Sequence, residues 1–143
     1  YAAHSVDGSA LVDALGRAAA QALAESRRTE PLHTYVQVSL DGDPGRGGVD
    51  ISRPDVVDEL CALVHSTDGL DFAGLMAMPP LGSDPEDAFS RLEEEFDRVQ
   101  ARFQHRLGLS AGMSSDLEMA VKHGSTCVRV GTALLGDRPL TSP

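Results

Sequence analysis

The sequence has 143 residues, with 12 Lys and Arg against 22 Asp and Glu, which gives a formal net charge of −10. The length suits one domain, residues 1–143, and 41% hydrophobic with 24% charged residues is typical of a soluble globular protein. The acidic balance argues against binding to nucleic acid or to an anionic membrane surface, because both require a positively charged surface.

Short β-branched runs alternate with longer segments of helical periodicity along the chain. This alternation is typical of βα units that build a parallel sheet. In chain order, the first two units are predicted as a strand at 3–6 with a helix to about 26, and a strand at 34–40 with a helix from 52–54. The next two are a strand at 70–76 with a helix from 84–85, and a strand at 107–110 with a helix at 115–123. A final strand at 126–130 and a polar tail after Gly136 complete the prediction.

Helix starts are marked by capping residues. Asp7 or Ser9 is the candidate N-cap of the first helix, and Asp84 precedes a proline at the start of the third. Ser115 and Glu118 have the spacing of a capping box at the start of the fourth. The Gly-rich loop 41–48 lacks the Lys-Ser/Thr ending of a phosphate-binding P-loop, so we expect a mobile loop there.

The four βα units and the final strand leave two architectures open. Crossovers between parallel strands are right-handed, which predicts a parallel sheet. A closed (β/α)₈ barrel needs ~250 residues, roughly twice this length. A doubly wound open sheet of five strands and one half of a barrel therefore both fit the chain.

The two cysteines indicate a reducing compartment. Cys61 and Cys127 lie far apart in apolar runs, and we expect both to be buried free thiols. Together with the lack of a signal peptide, this predicts a cytoplasmic protein. Because the first residue is Tyr1 rather than Met, either a segment has been removed or the sequence is part of a longer protein.

Ligands bind at the carboxyl ends of parallel strands in both architectures. The loop 112–115 opens a helix and offers backbone N–H groups beside two serine hydroxyls, and Gly131 with Thr132 follows the next strand. In a barrel these loops are neighbours, so they predict a phosphate site. A helix cap at Ser115 and a simple turn at Gly131 explain each motif equally well.

Other polar side chains carry less information. Arg129 lies in an apolar strand, and a buried arginine needs a partner. A structural ion pair would supply that partner, and an outward orientation would leave the side chain in water. His4 and His123 are expected to be surface histidines, and the scattered histidines predict no metal site. Lys122 is the one lysine and lies near a helix end that faces away from the strand ends, so no Schiff-base lysine is predicted.

The sequence resembles a known family at several points. Residues 109–120 (LSAGMSSDLEMA) and 123–136 (HGSTCVRVGTALLG) are similar to the last part of the YggS/PROSC family of pyridoxal 5′-phosphate (PLP) homeostasis proteins. Residues 4–7, 36–39 and 74–79 are similar to earlier strands of that family in the same order. The resemblance implies an α/β fold of the (β/α)₈ TIM-barrel type, like the N-terminal domain of alanine racemase, with this chain supplying roughly the C-terminal half.

The resemblance also implies a cofactor site. Ser114, Gly131 and Thr132 would contact the phosphate of PLP, and Met113 would lie near the cofactor. Arg129 would face the pyridine nitrogen, keep it unprotonated and so weaken the ring as an electron sink.

Departures from the family pattern lie in the first half. The Schiff-base lysine of the family belongs to an N-terminal half that this sequence lacks, Ser39 replaces a common asparagine, and Arg46 stands where lysine is frequent. We therefore expect a non-catalytic PLP-binding protein of vitamin B6 homeostasis that passes PLP to PLP-dependent apoenzymes. The alternatives are a PLP-dependent racemase or decarboxylase, and an inactive segment that self-associates through exposed barrel edges.

Overall fold

The computed structural model of the protein describes residues 1–80 and 82–136, so the polar tail predicted after Gly136 lies outside the described residues. The strands are β1 (Ala2–Val6), β2 (Leu32–Ser39), β3 (Val49–Asp50), β4 (Leu70–Met76) and β5 (Gly108–Ser110). The helices are α1 (Ser9–Ala24), α2 (Pro54–Ser66), α3 (Pro85–Gln100), α4 (Leu117–Lys122) and α5 (Thr132–Leu135), with a 3₁₀ turn at Pro44–Arg46. No helix in this part of the chain is long and apolar enough to cross a membrane.

The order of the strands distinguishes between the two predicted architectures. The sheet runs β1-β2-β4-β5, every pair is parallel, and β3 adds to the end of β2. Each main strand therefore lies beside the next one along the chain, and the order never reverses. A doubly wound sheet has a reversal at its switch point, whereas successive strands of a barrel wall do not.

One face of the sheet forms the hydrophobic core beneath the helices. A row of aligned residues, one from each main strand, is 0–1% exposed there: Val6, Val36, Leu75 and Leu109. Burying such side chains contributes about 1.5–3 kcal/mol each. The next row carries Gln37, Met76, Ser110 and Cys127 and belongs to the opposite face.

The predicted helix starts were partly correct. Asp84 caps α3 as predicted, because its side chain accepts a hydrogen bond from the N–H of Glu86 at 2.9 Å. The prediction for α1 was wrong, since Gly8 occupies the N-cap position and no side chain caps the helix.

The final strand predicted at 126–130 was also wrong. Only Cys127 forms a β-bridge, a parallel one to Ser110. The hydroxyl of Thr126 accepts a hydrogen bond from the N–H of Leu109 at 2.9 Å. A side-chain oxygen thus takes the place of a backbone carbonyl in the ladder, which interrupts regular pairing at this edge.

Candidate functional site

The loop 112–116 after β5 closes around an aspartate. The side chain of Asp116 accepts a hydrogen bond from the Met113 N–H at 2.6 Å, and α4 begins only at Leu117. The capping box predicted between Ser115 and Glu118 is therefore not the device that starts this helix. Instead, the Asp116 carboxylate forms a turn with the Met113 N–H in the loop that precedes α4.

A groove of about 450 Å³ borders this loop. It is lined by Pro85, the first residue of α3, and by residues 114–119, which include the acidic side chains of Asp116 and Glu118. The side chain of Met113 is 45% exposed. Ser114 and Ser115 follow β5, which ends at Ser110, so they lie beyond the carboxyl end of that strand.

The two predicted phosphate loops lie side by side. The N–H of Arg129 donates to the carbonyl of Gly112 at 2.9 Å, so the segment that leads to Gly131 runs along the loop after β5. Gly131 is exposed, and its carbonyl accepts from the N–H groups at the end of α5. Thr132 is the first residue of that helix, and its side chain lies outside the described part.

Arg129 points toward the inner face of the sheet, opposite the core. Its Nη1 donates to the carbonyl of Ser110 at 3.2 Å and to the Ser110 hydroxyl at 3.0 Å, and its Nη2 donates to the carbonyl of Ala77 at 3.0 Å. It forms no ion pair with the described residues, and these contacts show that the outward orientation drawn from the sequence was wrong. Within the described part of the chain, these bonds use three of the five N–H groups of the guanidinium and leave two for a ligand.

Partial burial of Arg129 opposes its positive charge. Desolvation lowers the pKa of its guanidinium, while Cys127 and Asp116 raise it. An arginine remains protonated in a protein even so. A half-buried cation that meets no carboxylate within residues 1–80 and 82–136 favours a ligand that brings a hydrogen-bond acceptor.

His4 meets this arginine through Ser110, which sequence reasoning missed. The Nδ1 of His4 lies 2.9 Å from the Ser110 Oγ, and its ring stacks on Tyr35 with centroids 4.5 Å apart and planes 16° apart. His4 is half-buried, so the prediction of a surface histidine was wrong. Its place within the strand predicted at 3–6 was the available signal, because a strand residue projects from a face of the sheet.

The Gly-rich loop 41–48 is anchored at several points. The Asp7 side chain accepts from the N–H of Gly48 at 3.0 Å, and Arg46 donates to the carbonyl of Pro79 at 2.8 Å. The loop also leads into β3, which the sequence did not predict. These contacts fix the position of the loop as part of the rim at the strand ends, whereas the mobility predicted for it stays a prediction.

His123 is buried rather than on the surface as predicted. It is 8% exposed, with its Nδ1 2.7 Å from Glu93 and its Nε2 3.4 Å from Glu86. Lys122 also pairs with Glu86, at 2.7 Å. These contacts fasten α4 to α3 and so hold the loop that precedes α4.

Comparisons with known proteins identify what the chain resembles. The family profile of the alanine racemase N-terminal domain matches residues 4–139. The pyridoxal phosphate homeostasis protein of Mycobacterium tuberculosis strain H37Rv is 64% identical over 143 residues, which are 100% of this chain and 55% of that protein. The Escherichia coli K12 protein of the same name is 35% identical over 115 residues, 76% of this chain and 46% of that one. The chain thus spans about half the length of these curated relatives.

Solved structures agree with this placement. PipY of Synechococcus elongatus, solved with PLP bound, has a TM-score of 0.77 and 31% identity over 94% of this chain and 60% of its own. Alanine racemase of Corynebacterium glutamicum has a TM-score of 0.55 at 15% identity over 87% of this chain and 36% of its own, which shows a shared fold alone. The sheet order described above is therefore that of part of an alanine racemase-like barrel.

Proposed function

The chain belongs to the alanine racemase N-terminal domain family, and we propose that it carries the phosphate and pyridine contacts of a non-catalytic PLP-binding protein of vitamin B6 homeostasis. Two findings support this proposal. Relatives over its whole length are named pyridoxal phosphate homeostasis protein, and PipY was solved with PLP bound.

The observation that carries the proposal is the hydrogen bonding of Arg129. Its two remaining N–H groups suit a ring nitrogen, which accepts a hydrogen bond only while it is unprotonated. An arginine cannot hand a proton to that nitrogen. When bound, PLP supplies a reactive aldehyde and an electron-withdrawing ring. A ring kept unprotonated withdraws electrons less strongly, which suits a carrier better than a catalyst.

The remaining predicted contacts surround this arginine. In the proposed complex Ser114, Gly131 and Thr132 bind the phosphate, and Met113 lies against the cofactor. The backbone pairing of the two loops supports this assignment. These residues bind and orient the cofactor without taking part in bond making or breaking.

The one lysine has another partner. The Nζ of Lys122 lies 2.7 and 2.9 Å from the two carboxylate oxygens of Glu86. We infer that residues 1–143 bind PLP without holding its aldehyde covalently. Transfer of the cofactor to apoenzymes that need PLP, in the cytoplasm where free thiols such as Cys61 persist, completes the proposal.

The test uses pyridoxine 5′-phosphate, which has no aldehyde and so cannot form an adduct with any amine. Isothermal titration should show binding that weakens about tenfold or more in Arg129→Ala, because a charged hydrogen bond is worth about 1.5–3 kcal/mol. Arg17→Ala removes the same charge from an exposed helix position and should bind like the wild type. Equal binding by both variants, or a lack of binding in the wild type, would contradict the proposal.

The lack of catalysis is tested separately. The protein with PLP and L-alanine should produce no D-alanine above a heat-inactivated control, as followed by chiral chromatography. Turnover that depends on Arg129 would instead favour the racemase alternative.

A further inference from the structure

The inner face of the sheet carries a chain of hydrogen bonds that joins β1 to β5 and to the segment after β4. It links His4 on β1 to Ser110 at the end of β5, 106 residues away in sequence, and Ser110 to Arg129. The guanidinium also reaches the carbonyl of Ala77, just after β4. Arg129 is therefore held from several strands at once.

Donor and acceptor counting assigns the protons of this chain. A guanidinium only donates, so the Ser110 Oγ accepts from the Nη1 of Arg129. A hydroxyl has one proton of its own and two lone pairs, and the arrangement in which the Nδ1 of His4 at 2.9 Å accepts that proton leaves none of these groups without a partner. The proton of a neutral His4 then lies on Nε2. A proton on Nδ1 would instead direct two donors at one oxygen and leave the Ser110 hydroxyl proton without this acceptor.

Packing fixes the plane of the histidine ring. Tyr35 on β2 stacks against it at 4.5 Å between centroids. Tyr35 has room for this because the facing residue on β5 is Gly108, where an added Cβ would lie 3.0 Å from the Tyr35 hydroxyl. The ring is thus oriented by stacking, and its Nδ1 is directed at Ser110.

We infer that His4 is a positioning residue for the Arg129 guanidinium, which it holds through the Ser110 hydroxyl as the neutral form protonated on Nε2. The inference rests on the proposed function only in naming a ring nitrogen of PLP as the atom to which Arg129 donates. The orientation of Arg129 itself does not depend on the cofactor.

The charges around His4 favour the neutral form. Burial and the positive charge of Arg129 both lower the pKa of His4 below its ordinary 6.5. Among the described residues, the titratable groups that act on or contact it are Arg129 from the segment after β5 and Tyr35 from β2. Tyr35 is in turn influenced by Cys127, Tyr1 and Asp71. The chain of hydrogen bonds should therefore be intact at neutral pH and be lost as the pH falls through the lowered pKa of His4.

The first experiment needs no ligand and uses the protein as it exists, at its full length. ¹⁵N–¹H correlation of the histidine rings at neutral pH should show His4 protonated on Nε2 and unprotonated on Nδ1. ¹⁵N relaxation of the Arg129 Nε–H should show an ordered guanidinium in the wild type and a loss of order in His4→Phe. A charged His4, a proton on Nδ1, or an equally ordered Arg129 in His4→Phe would overturn the inference.

The second experiment compares variants by their affinity for pyridoxine 5′-phosphate. His4→Phe keeps a ring to stack on Tyr35 but lacks the acceptor, so it should bind about five- to tenfold more weakly. His4→Asn offers an amide oxygen near the Nδ1 position and should bind like the wild type. His65→Phe makes the same change at an exposed histidine and is the control.

The pH profile separates positioning from mere packing. The ratio of wild-type to His4→Asn affinity cancels the titration of the ligand, so it should fall only through the pKa of His4. A ratio that stays constant through the pKa of His4, as located by titrating its ring nitrogens, would overturn the inference, and so would equal affinity of His4→Phe and the wild type. If the wild type fails to bind the ligand at all, the proposed function fails, while the ring-nitrogen and relaxation measurements still decide the role of His4.

Discussion

Removal of the Arg98 side chain should strongly destabilise the protein, because it leaves two carboxylates behind. Arg98 on α3 donates to both carboxylate oxygens of Glu95, at 2.8 Å each, and to Asp58 on α2 at 2.9 Å. Glu95 is only 7% exposed. The arginine thus neutralises a buried charge and joins two helices that cover the sheet.

The size of the effect follows from burial. Breaking a buried ion pair by removing one partner costs about 3–5 kcal/mol. The Arg98 side chain is 33% exposed, and Arg102 still pairs with Asp58 at 2.9 Å, so the lower end applies. We expect Arg98→Leu to lower the free energy of unfolding by about 3 kcal/mol. Replacing Arg98 and Glu95 together by leucine should recover most of this loss, since no buried charge then remains unpaired.

Urea unfolding followed by far-UV circular dichroism measures these changes. Arg91→Leu, at an exposed position on the same helix, is the matched control and should change the free energy of unfolding by less than about 0.5 kcal/mol. The reasoning is refuted if Arg98→Leu is no more destabilising than Arg91→Leu. It is also refuted if the double variant is less stable than Arg98→Leu alone.

Three further predictions concern the frame around the site. Gly74→Ala should lower the free energy of unfolding, measured by thermal unfolding, by about 3 kcal/mol or more, because the φ of Gly74 is +140° and a Cβ would overlap a carbonyl of β5. The control Gly124→Ala, at φ +85° with open space around it, should lower it by only about 1 kcal/mol. Burial raises the pKa of the Cys61 thiol to about 12. Iodoacetamide at neutral pH should therefore alkylate the half-buried Cys127 and not Cys61, as detected by mass spectrometry. Alkylation of Cys61 before Cys127 would contradict the packing. Asp84→Ala should lower stability by about 1 kcal/mol through loss of the α3 cap, whereas Asp84→Asn, which keeps the capping oxygen, should not.

Local pattern was enough to predict most elements and the family. The strand predicted at 70–76 coincides with β4, and the βα alternation over the first 124 residues is confirmed. The motifs at 109–120 and 123–136 indicated a family that the match over residues 4–139 confirms. β3 was missed because it has only two residues and follows glycines, so it carries no periodicity. The final strand failed because the Thr126 hydroxyl replaces a backbone acceptor for Leu109 and the Arg129 N–H pairs with Gly112 instead of Ala111, which periodicity does not record.

The candidate site likewise has features that follow from local sequence and features that depend on long-range contacts. The sequence by itself determined which loops follow the strands and that Arg129 lies among apolar neighbours, since both depend on residues close together in the chain. Only the tertiary structure decided that Arg129 meets Ser110, that Ser110 meets His4, and that His123 is buried between two glutamates. These contacts join segments up to 106 residues apart, and they depend on strand register and side-chain direction. The register is set only when whole strands pair. The local pattern of either segment therefore does not specify which polar groups will face each other.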